Sequence, residues 1–186
     1  MGGLGNLLFK EAYIYAQLRR GEIPDLYLQS PKYWAEYGEE IRQRFGSGIK
    51  RSDYVSLHIR LGDYVNNEFY VNLLETDYYQ KAVKVFSPDT EFLVFCADRQ
   101  NRLTDIIDSA DAQEFVKSLG VKYKMHDHQD EAVDLNTMAG CTGHIMANSS
   151  FSWWASFLGG GVTIAPRQWF TDTVHRIDLL DDWIKI

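Results

Sequence analysis

Three polar segments of this chain combine residue types that could bind a diphosphate, and the first is HIRLGDY at residues 58–64. Arg60 presents a planar guanidinium that can hold two phosphate oxygens at once. His58 lies two positions earlier, so in an extended strand both side chains point to the same face. The alternative is structural: Arg60 pairs with a surface carboxylate, and His58 is a hydrogen-bonded core histidine.

The other two segments offer backbone amides and hydroxyl groups. GGLGN, at residues 2–6, runs directly into a helical pattern. Its glycines let the backbone approach a ligand, and a helix start carries partial positive charge. ANSSFSWW, at residues 147–154, places Ser149 and Ser150 at a second helix start. In the ordinary interpretation the first segment is a flexible terminus and a serine is the helix N-cap, although one serine can cap while the other contacts a phosphate.

Carboxylates near these segments are candidates for base recognition and proton transfer. Asp98 follows the apolar run FLVFC, and it could accept hydrogen bonds from guanine or cap a helix. Asp63 is the nearest candidate general base, or it turns inward to orient Arg60, and Glu68 is a more distant candidate. His126 and His128 resemble a metal-binding pair, but no third ligand stands at a sensible spacing, so we predict no metal site.

The elements that must position these groups alternate along the chain. Apolar runs predict strands at residues 54–59, 92–96, 121–125, 144–148 and 162–165. Helical patterns fall at residues 7–20, 34–44, 77–86, 101–119, 134–140 and 149–158. This alternation predicts an α/β fold with a mostly parallel, Rossmann-like sheet. Ligands bind beyond the carboxyl ends of such strands, which is where the polar segments at residues 58–64, 98 and 147–150 begin.

Composition narrows the class of protein. With 186 residues and 45% hydrophobic content, the chain is expected to form one domain over residues 1–186. A net charge of −7 argues against nucleic acid as a partner. We expect neither a transmembrane segment nor a signal peptide. Cys96 and Cys141 lie in apolar segments, which is typical of core residues in a reducing compartment, so a cytoplasmic protein is predicted.

Taken in order, the motifs resemble those of the α-1,2-fucosyltransferases of glycosyltransferase family 11. The resemblance runs from GGLGN through H-x-R-x-G-D-Y and an apolar strand ending in an acid. It continues with D-x-x-x-M-x-x-C, from Asp134 to Cys141, and with I-x-A-N-S-S-F-S-W-W, from Ile145 to Trp154. It implies an inverting, metal-independent enzyme that uses no cofactor and moves fucose from GDP-fucose to a galactoside hydroxyl. It also implies a GT-B-like architecture whose Rossmann-type half binds the donor, and a location that can be peripheral to a membrane where glycans are assembled.

The resemblance also implies roles for individual residues. Arg60 would grip the donor pyrophosphate, and Arg60 and Asp63 are the predicted catalytic residues. His58 and Asp98 would contact guanosine. The phosphate contacts would be the following: Ser149, Ser150 and the backbone amide of Phe151. The loop closing over the phosphates would consist of Gly3, Gly5 and Asn6.

Two substitutions and a short segment keep alternatives open. Leu61 stands where the family usually has a second arginine, and Leu7 replaces a glutamine. Residues 22–52 are predicted to be a remnant of a longer acceptor-side region, which means that the acceptor-side domain is shortened or missing. The protein is therefore a transferase, a non-catalytic GDP-sugar-binding remnant, or an interaction module that keeps only the fold. Aromatic residues between positions 33 and 37 either stack on acceptor sugars or pack in the core.

Overall fold

The computed structural model describes residues 3–21, 30–61, 67–96, 103–172 and 177–186, and within them the chain forms six strands and six α-helices. The strands are β1 Val55–Ile59, β2 Glu91–Cys96, β3 Lys122–Met125, β4 Gly143–Ile145, β5 Val162–Ala165 and β6 Ile184–Lys185. The helices are α1 Leu4–Arg20, α2 Gly38–Phe45, α3 Tyr78–Ala82, α4 Leu103–Ser118, α5 Glu131–Ala139 and α6 Ser150–Gly159.

The strands form one parallel sheet in the order β3-β2-β1-β4-β5-β6. This confirms the predicted α/β fold with a Rossmann-like sheet. Strand β1 lies at its centre, pairing with β2 from Val55 opposite Phe92 to Ile59 opposite Cys96, and with β4 on its other side. Every residue of β1 is buried, because neighbouring strands flank it and helices cover both faces.

The two faces of the sheet carry different cores. On one face α3 and α4 pack against side chains such as Leu57 and Val94. On the other face α1, α5 and α6 form a core rich in aromatic residues. Within it the Phe9 ring of α1 lies 4.8 Å from Trp153 and 5.2 Å from Trp154, both on α6, between ring centroids. Helix α1 is therefore held on the sheet through α6.

Residues 30–52 lie against this aromatic core. They form 3₁₀ turns at Pro31–Tyr33 and Ala35–Tyr37, followed by α2. Trp34 is 1% exposed and stacks on Trp154, with the ring planes 20° apart and the centroids 5.4 Å apart. Of the two roles considered for Trp34, core packing is the one found. The assignment of residues 22–52 to an acceptor-side remnant stays a prediction.

Local sequence explains where α1 ends. Gly21 adopts the left-handed conformation, with φ 73°, and its amide donates to the carbonyl groups of Gln17 and Leu18. A glycine in this conformation is a common C-terminal cap of a helix, and it ends α1 here. None of the helices in the described ranges combines the length and the apolar character needed to cross a bilayer.

Candidate functional site

The chain order reverses between β1 and β4, and in open parallel sheets such a reversal leaves a crevice at the carboxyl ends of the two strands. The chain builds outward from β1 through β2 to β3, and then returns to add β4 on the other side of β1. In open parallel sheets this switch point is the usual ligand site. Arg60 directly follows β1, and Ser149 and Ser150 follow β4 after a short connection. Two of the three predicted polar segments thus begin at the same edge of two paired strands.

His58 is a buried polar group at this edge. It is 5% exposed, and its ring centroid lies 6.1 Å from that of Phe151 in the first turn of α6. Its backbone carbonyl accepts a hydrogen bond of 2.8 Å from the hydroxyl of Tyr79. Burial, and secondarily the positive charge of Arg60, lower the pKa of His58 to about 3. The imidazole is therefore neutral near pH 7.

One ring nitrogen of His58 has an unmet hydrogen-bonding requirement. Within the described part of the chain, no partner reaches its buried Nδ1 atom. A buried polar atom of this kind is rare in folded proteins and commonly marks the place of a water molecule or a ligand. The unpaired nitrogen is compatible with the predicted ligand contact, and the role of His58 stays a prediction.

The start of α6 shows how the two serines divide their roles. Ser149 is the N-cap, and its Oγ accepts a hydrogen bond of 3.3 Å from the Phe151 amide. Ser150 instead donates through its Oγ to Oδ1 of Asn6, at 3.1 Å. The ordinary capping role thus belongs to Ser149. Ser150 is partly exposed and joins α6 to the first turn of α1.

The glycine segment meets α6 at the same place. Gly3 is the N-cap of α1, with φ −64° and ψ 178°, and nothing lies within 4 Å of the position where a Cβ would stand. Gly5 is buried, and a Cβ there would lie 2.6 Å from the Ser150 carbonyl carbon and 2.7 Å from the Phe151 nitrogen. Only a glycine lets the two helices approach so closely. Two helix N-termini therefore converge beside His58, and each favours negative charge.

Asn148 is a structural residue of this edge that the sequence analysis missed. It is 2% exposed, and its Nδ2 donates to the carbonyl oxygens of Val71, at 2.9 Å, and Trp169, at 3.2 Å. It thereby joins the segment after the β1 loop to the segment after β5. Its partners lie far away in sequence, so no local pattern signals the role.

One carboxylate, Asp134, lies with two histidines near the carboxyl end of β3. Asp134 is 7% exposed and accepts from Nε2 of His126 at 2.8 Å, from His128, and from the Gln129 amide at 3.3 Å. The His126 ring packs on Phe95 of β2, with the centroids 4.5 Å apart. Over the described ranges, no group of three or more His, Cys, Asp or Glu side chains is arranged to hold a metal ion. The two histidines instead position Asp134.

Two predicted site residues, Asp63 and Asp98, lie outside the described residues. Leu61, by contrast, is described: it is 6% exposed and belongs to the core on the α3 and α4 side. An arginine at this position would have to leave that core to reach a phosphate. Among the described residues of the predicted site, Arg60 and the two helix starts are groups that could donate to an anion.

Comparison with known proteins identifies relatives of one kind. The family model described as glycosyl transferase family 11 matches residues 34–186. The O-antigen biosynthesis glycosyltransferase WbnK of Escherichia coli is 28% identical over 148 residues, covering 74% of this chain and 46% of the relative. The alpha-1,2-colitosyltransferase of Escherichia coli is 29% identical over 190 residues, covering 85% of this chain and 60% of the relative. The chain thus spans about half the length of these curated relatives, and no solved structure matches it.

Proposed function

Because this chain belongs to glycosyl transferase family 11, we propose that it moves a fucosyl group from GDP-fucose to a galactoside hydroxyl, in an α-1,2 linkage and with inversion. The observation that carries the proposal is the meeting of the end of β1 with the starts of α1 and α6 beyond the carboxyl ends of β1 and β4. There the neutral His58 packs on Phe151, and Gly5 abuts Ser150. The protein carries a negative net charge, so a site for a nucleoside diphosphate must attract the anion locally. One arginine, neutral hydrogen-bond donors and two helix starts can do so.

In the proposed reaction the bond between the anomeric carbon and the β-phosphate oxygen breaks, and the acceptor oxygen bonds to that carbon from the opposite face. Negative charge grows on the departing phosphate. Arg60 stabilises it together with the starts of α1 and α6, which are oriented before the reaction and therefore need little reorganisation. In this proposal Arg60 and the two helix starts supply the positive charge, so activity is expected to persist in EDTA.

The acceptor hydroxyl must lose its proton during the transfer. We propose that a carboxylate takes the proton and later releases it to solvent, with Asp63 as the first candidate and Glu68 as the second. His58 is unsuited to this task, since its lowered pKa makes it a weak base and its ring is buried. We assign His58 and Asp98 to the guanosine instead. Asp63→Asn is expected to abolish transfer while leaving GDP binding intact, and full activity in that variant would eliminate this base.

The direct test is incubation with GDP-fucose and a β-galactoside in EDTA, followed by measurement of GDP release and of fucosylated product. Because one relative is named a colitosyltransferase, a colitosyl nucleotide is tested in parallel. Product from either donor supports transfer, and product from the colitosyl donor alone would correct the assigned sugar. A folded sample that turns over neither donor with any acceptor would rule out the enzyme.

A non-catalytic GDP-sugar-binding protein is the second candidate, and Leu61 favours it because the usual second arginine is replaced by a core residue. This candidate predicts GDP affinity in calorimetry without turnover. Absence of GDP binding would exclude both candidates and leave an interaction module that retains the fold.

A further inference from the structure

A short antiparallel ribbon lies beside the proposed donor crevice. The segments around Tyr70 and Phe170 form an antiparallel bridge. The Val71 amide donates to the Trp169 carbonyl at 3.0 Å, and the Thr171 amide donates to the Phe69 carbonyl at 3.0 Å. Both segments follow sheet strands, the first after β1 and the second after β5, so the ribbon stands at the carboxyl edge of the sheet.

Three aromatic side chains of this ribbon, which we call the aromatic triad, are Phe69, Tyr70 and Phe170. Their ring centroids are 5.1 Å apart for Phe69 and Tyr70, 5.0 Å for Phe69 and Phe170, and 5.6 Å for Tyr70 and Phe170. Phe69 is 38% exposed, and the other two are half-buried. An apolar patch that reaches the surface, as this one does at Phe69, can mark a binding site.

Asn148 fixes the aromatic triad relative to the crevice. Its side chain bonds the carbonyl groups of Val71 and Trp169, which are the residues next to Tyr70 and Phe170. Ser149, the N-cap of α6, comes immediately after Asn148. A ligand on the rings would therefore lie next to the site proposed for the diphosphate, on a support that a buried hydrogen-bonded residue holds in place.

We propose that the aromatic triad binds the sugar ring of the acceptor glycan; this rests on the transferase function proposed above. A pyranose has a face of C–H groups that packs on aromatic rings, and hydroxyl groups at its edge that need hydrogen-bonding partners. Polar groups suited to these hydroxyl groups lie around the triad, namely the exposed side chains of Asn67, Glu68 and Thr171. A galactopyranoside presents three adjacent C–H groups on one face because its O4 is axial, so it is the ring chosen for the test.

The test compares Phe69→Ala with wild type, using a methyl β-galactoside as the probe and saturation-transfer NMR and calorimetry as the readouts. Removal of the ring is expected to weaken the affinity for the galactoside by about tenfold. GDP affinity is expected to stay unchanged. Phe69→Tyr keeps the ring and should restore binding. Leu18→Ala, at a residue 65% exposed on α1, is the matched control for loss of an exposed apolar side chain.

Each outcome separates this inference from the donor proposal. If wild type binds the galactoside and Phe69→Ala does not, the aromatic triad is supported even when GDP binding is absent. Equal galactoside affinity in the two proteins would overturn it, as would absence of galactoside binding by wild type. A parallel loss of GDP affinity in Phe69→Ala would show that the ring only supports the fold. If sedimentation shows that the variant merely dissociates a dimer, the occupant is a second copy of this chain and the proposal is wrong.

Discussion

The contact between α1 and α6 allows a sharp test, because replacing Gly5 with alanine should change stability in the opposite direction from the one that helix propensity predicts. Gly5 lies in the first turn of α1, where alanine is intrinsically better than glycine by up to about 1 kcal/mol. The added Cβ, however, would stand 2.5 Å from the Ser150 Oγ, 2.6 Å from the Ser150 carbonyl carbon and 2.7 Å from the Phe151 nitrogen. Two of these three atoms are backbone, so a side-chain rotation cannot relieve the overlap.

Overpacking of this kind destabilises proteins by about 1–3 kcal/mol. We therefore expect Gly5→Ala to lower the free energy of unfolding by about 2 kcal/mol, and the melting temperature by about 6 °C for a chain of this length. GDP binding should weaken as well, since the start of α1 must move away from Ser150. Urea denaturation and calorimetry with GDP measure the two effects.

Gly3→Ala is the matched control. Its Cβ meets nothing within 4 Å, and its φ of −64° suits alanine. The loss of a glycine N-cap and the lower entropy of the unfolded chain oppose one another, so the change should stay within about 0.5 kcal/mol. If Gly5→Ala is as stable as wild type, or more stable, the close approach of the two helices is refuted.

Three further predictions concern the crevice and its support. Arg60→Ala should weaken GDP binding by about 30-fold in calorimetry, because a charge-assisted contact is lost, and unchanged affinity would favour the interaction module. Burial lowers the pKa of His58 to about 3, and it lowers the pKa of His144, a buried residue of β4, to about 4. The unfolded chain therefore binds more protons than the folded one as the pH falls below about 6.5. The free energy of unfolding should therefore be highest well above pH 6.5 and should fall by about 2 kcal/mol per histidine at pH 5. A urea midpoint that does not change over this range would contradict the burial of both rings. Asn148→Asp replaces a buried donor by a carboxylate that faces two carbonyl oxygens, and it should lower the free energy of unfolding by about 3 kcal/mol in urea denaturation, whereas a neutral result would disprove the link between the ribbon and α6.

Strong local patterns explain why most of the sheet could be predicted. The run YVSLHI and the run FLVFC became β1 and β2 within one residue of their expected limits, because buried parallel strands are continuously apolar. Helix α5 was expected to begin at Asp134 but begins at Glu131. The cap explains the difference: the Asp130 carboxylate accepts from the amides of Ala132 and Val133, a signal hidden in a run of polar residues.

Elements that depend on distant partners escaped prediction. Strand β6 consists of Ile184 and Lys185, and its pairing with Ile164 and Ala165 leaves no periodicity to detect. The bridge between Tyr70 and Phe170 is equally short. At the site, the sequence predicted that Arg60 follows β1 and that Ser149 and Ser150 follow β4, as the structure shows, while the roles of these residues stay predictions. It could not show that Ser150 bonds to Asn6, or that Nδ1 of His58 lacks a partner in the described structure.

The hydrogen bond between Asn6 and Ser150 also affects the order in which the parts of the protein fold. It joins residues 144 positions apart, so α1 cannot pack in its final position until α6 has been synthesised. Contacts of such long sequence separation form late, because the entropy of closing the intervening loop has to be overcome first. A nascent chain stopped before residue 150 would carry every residue of α1 and β1 and still lack the contact between the starts of α1 and α6, which makes that contact a late marker of folding.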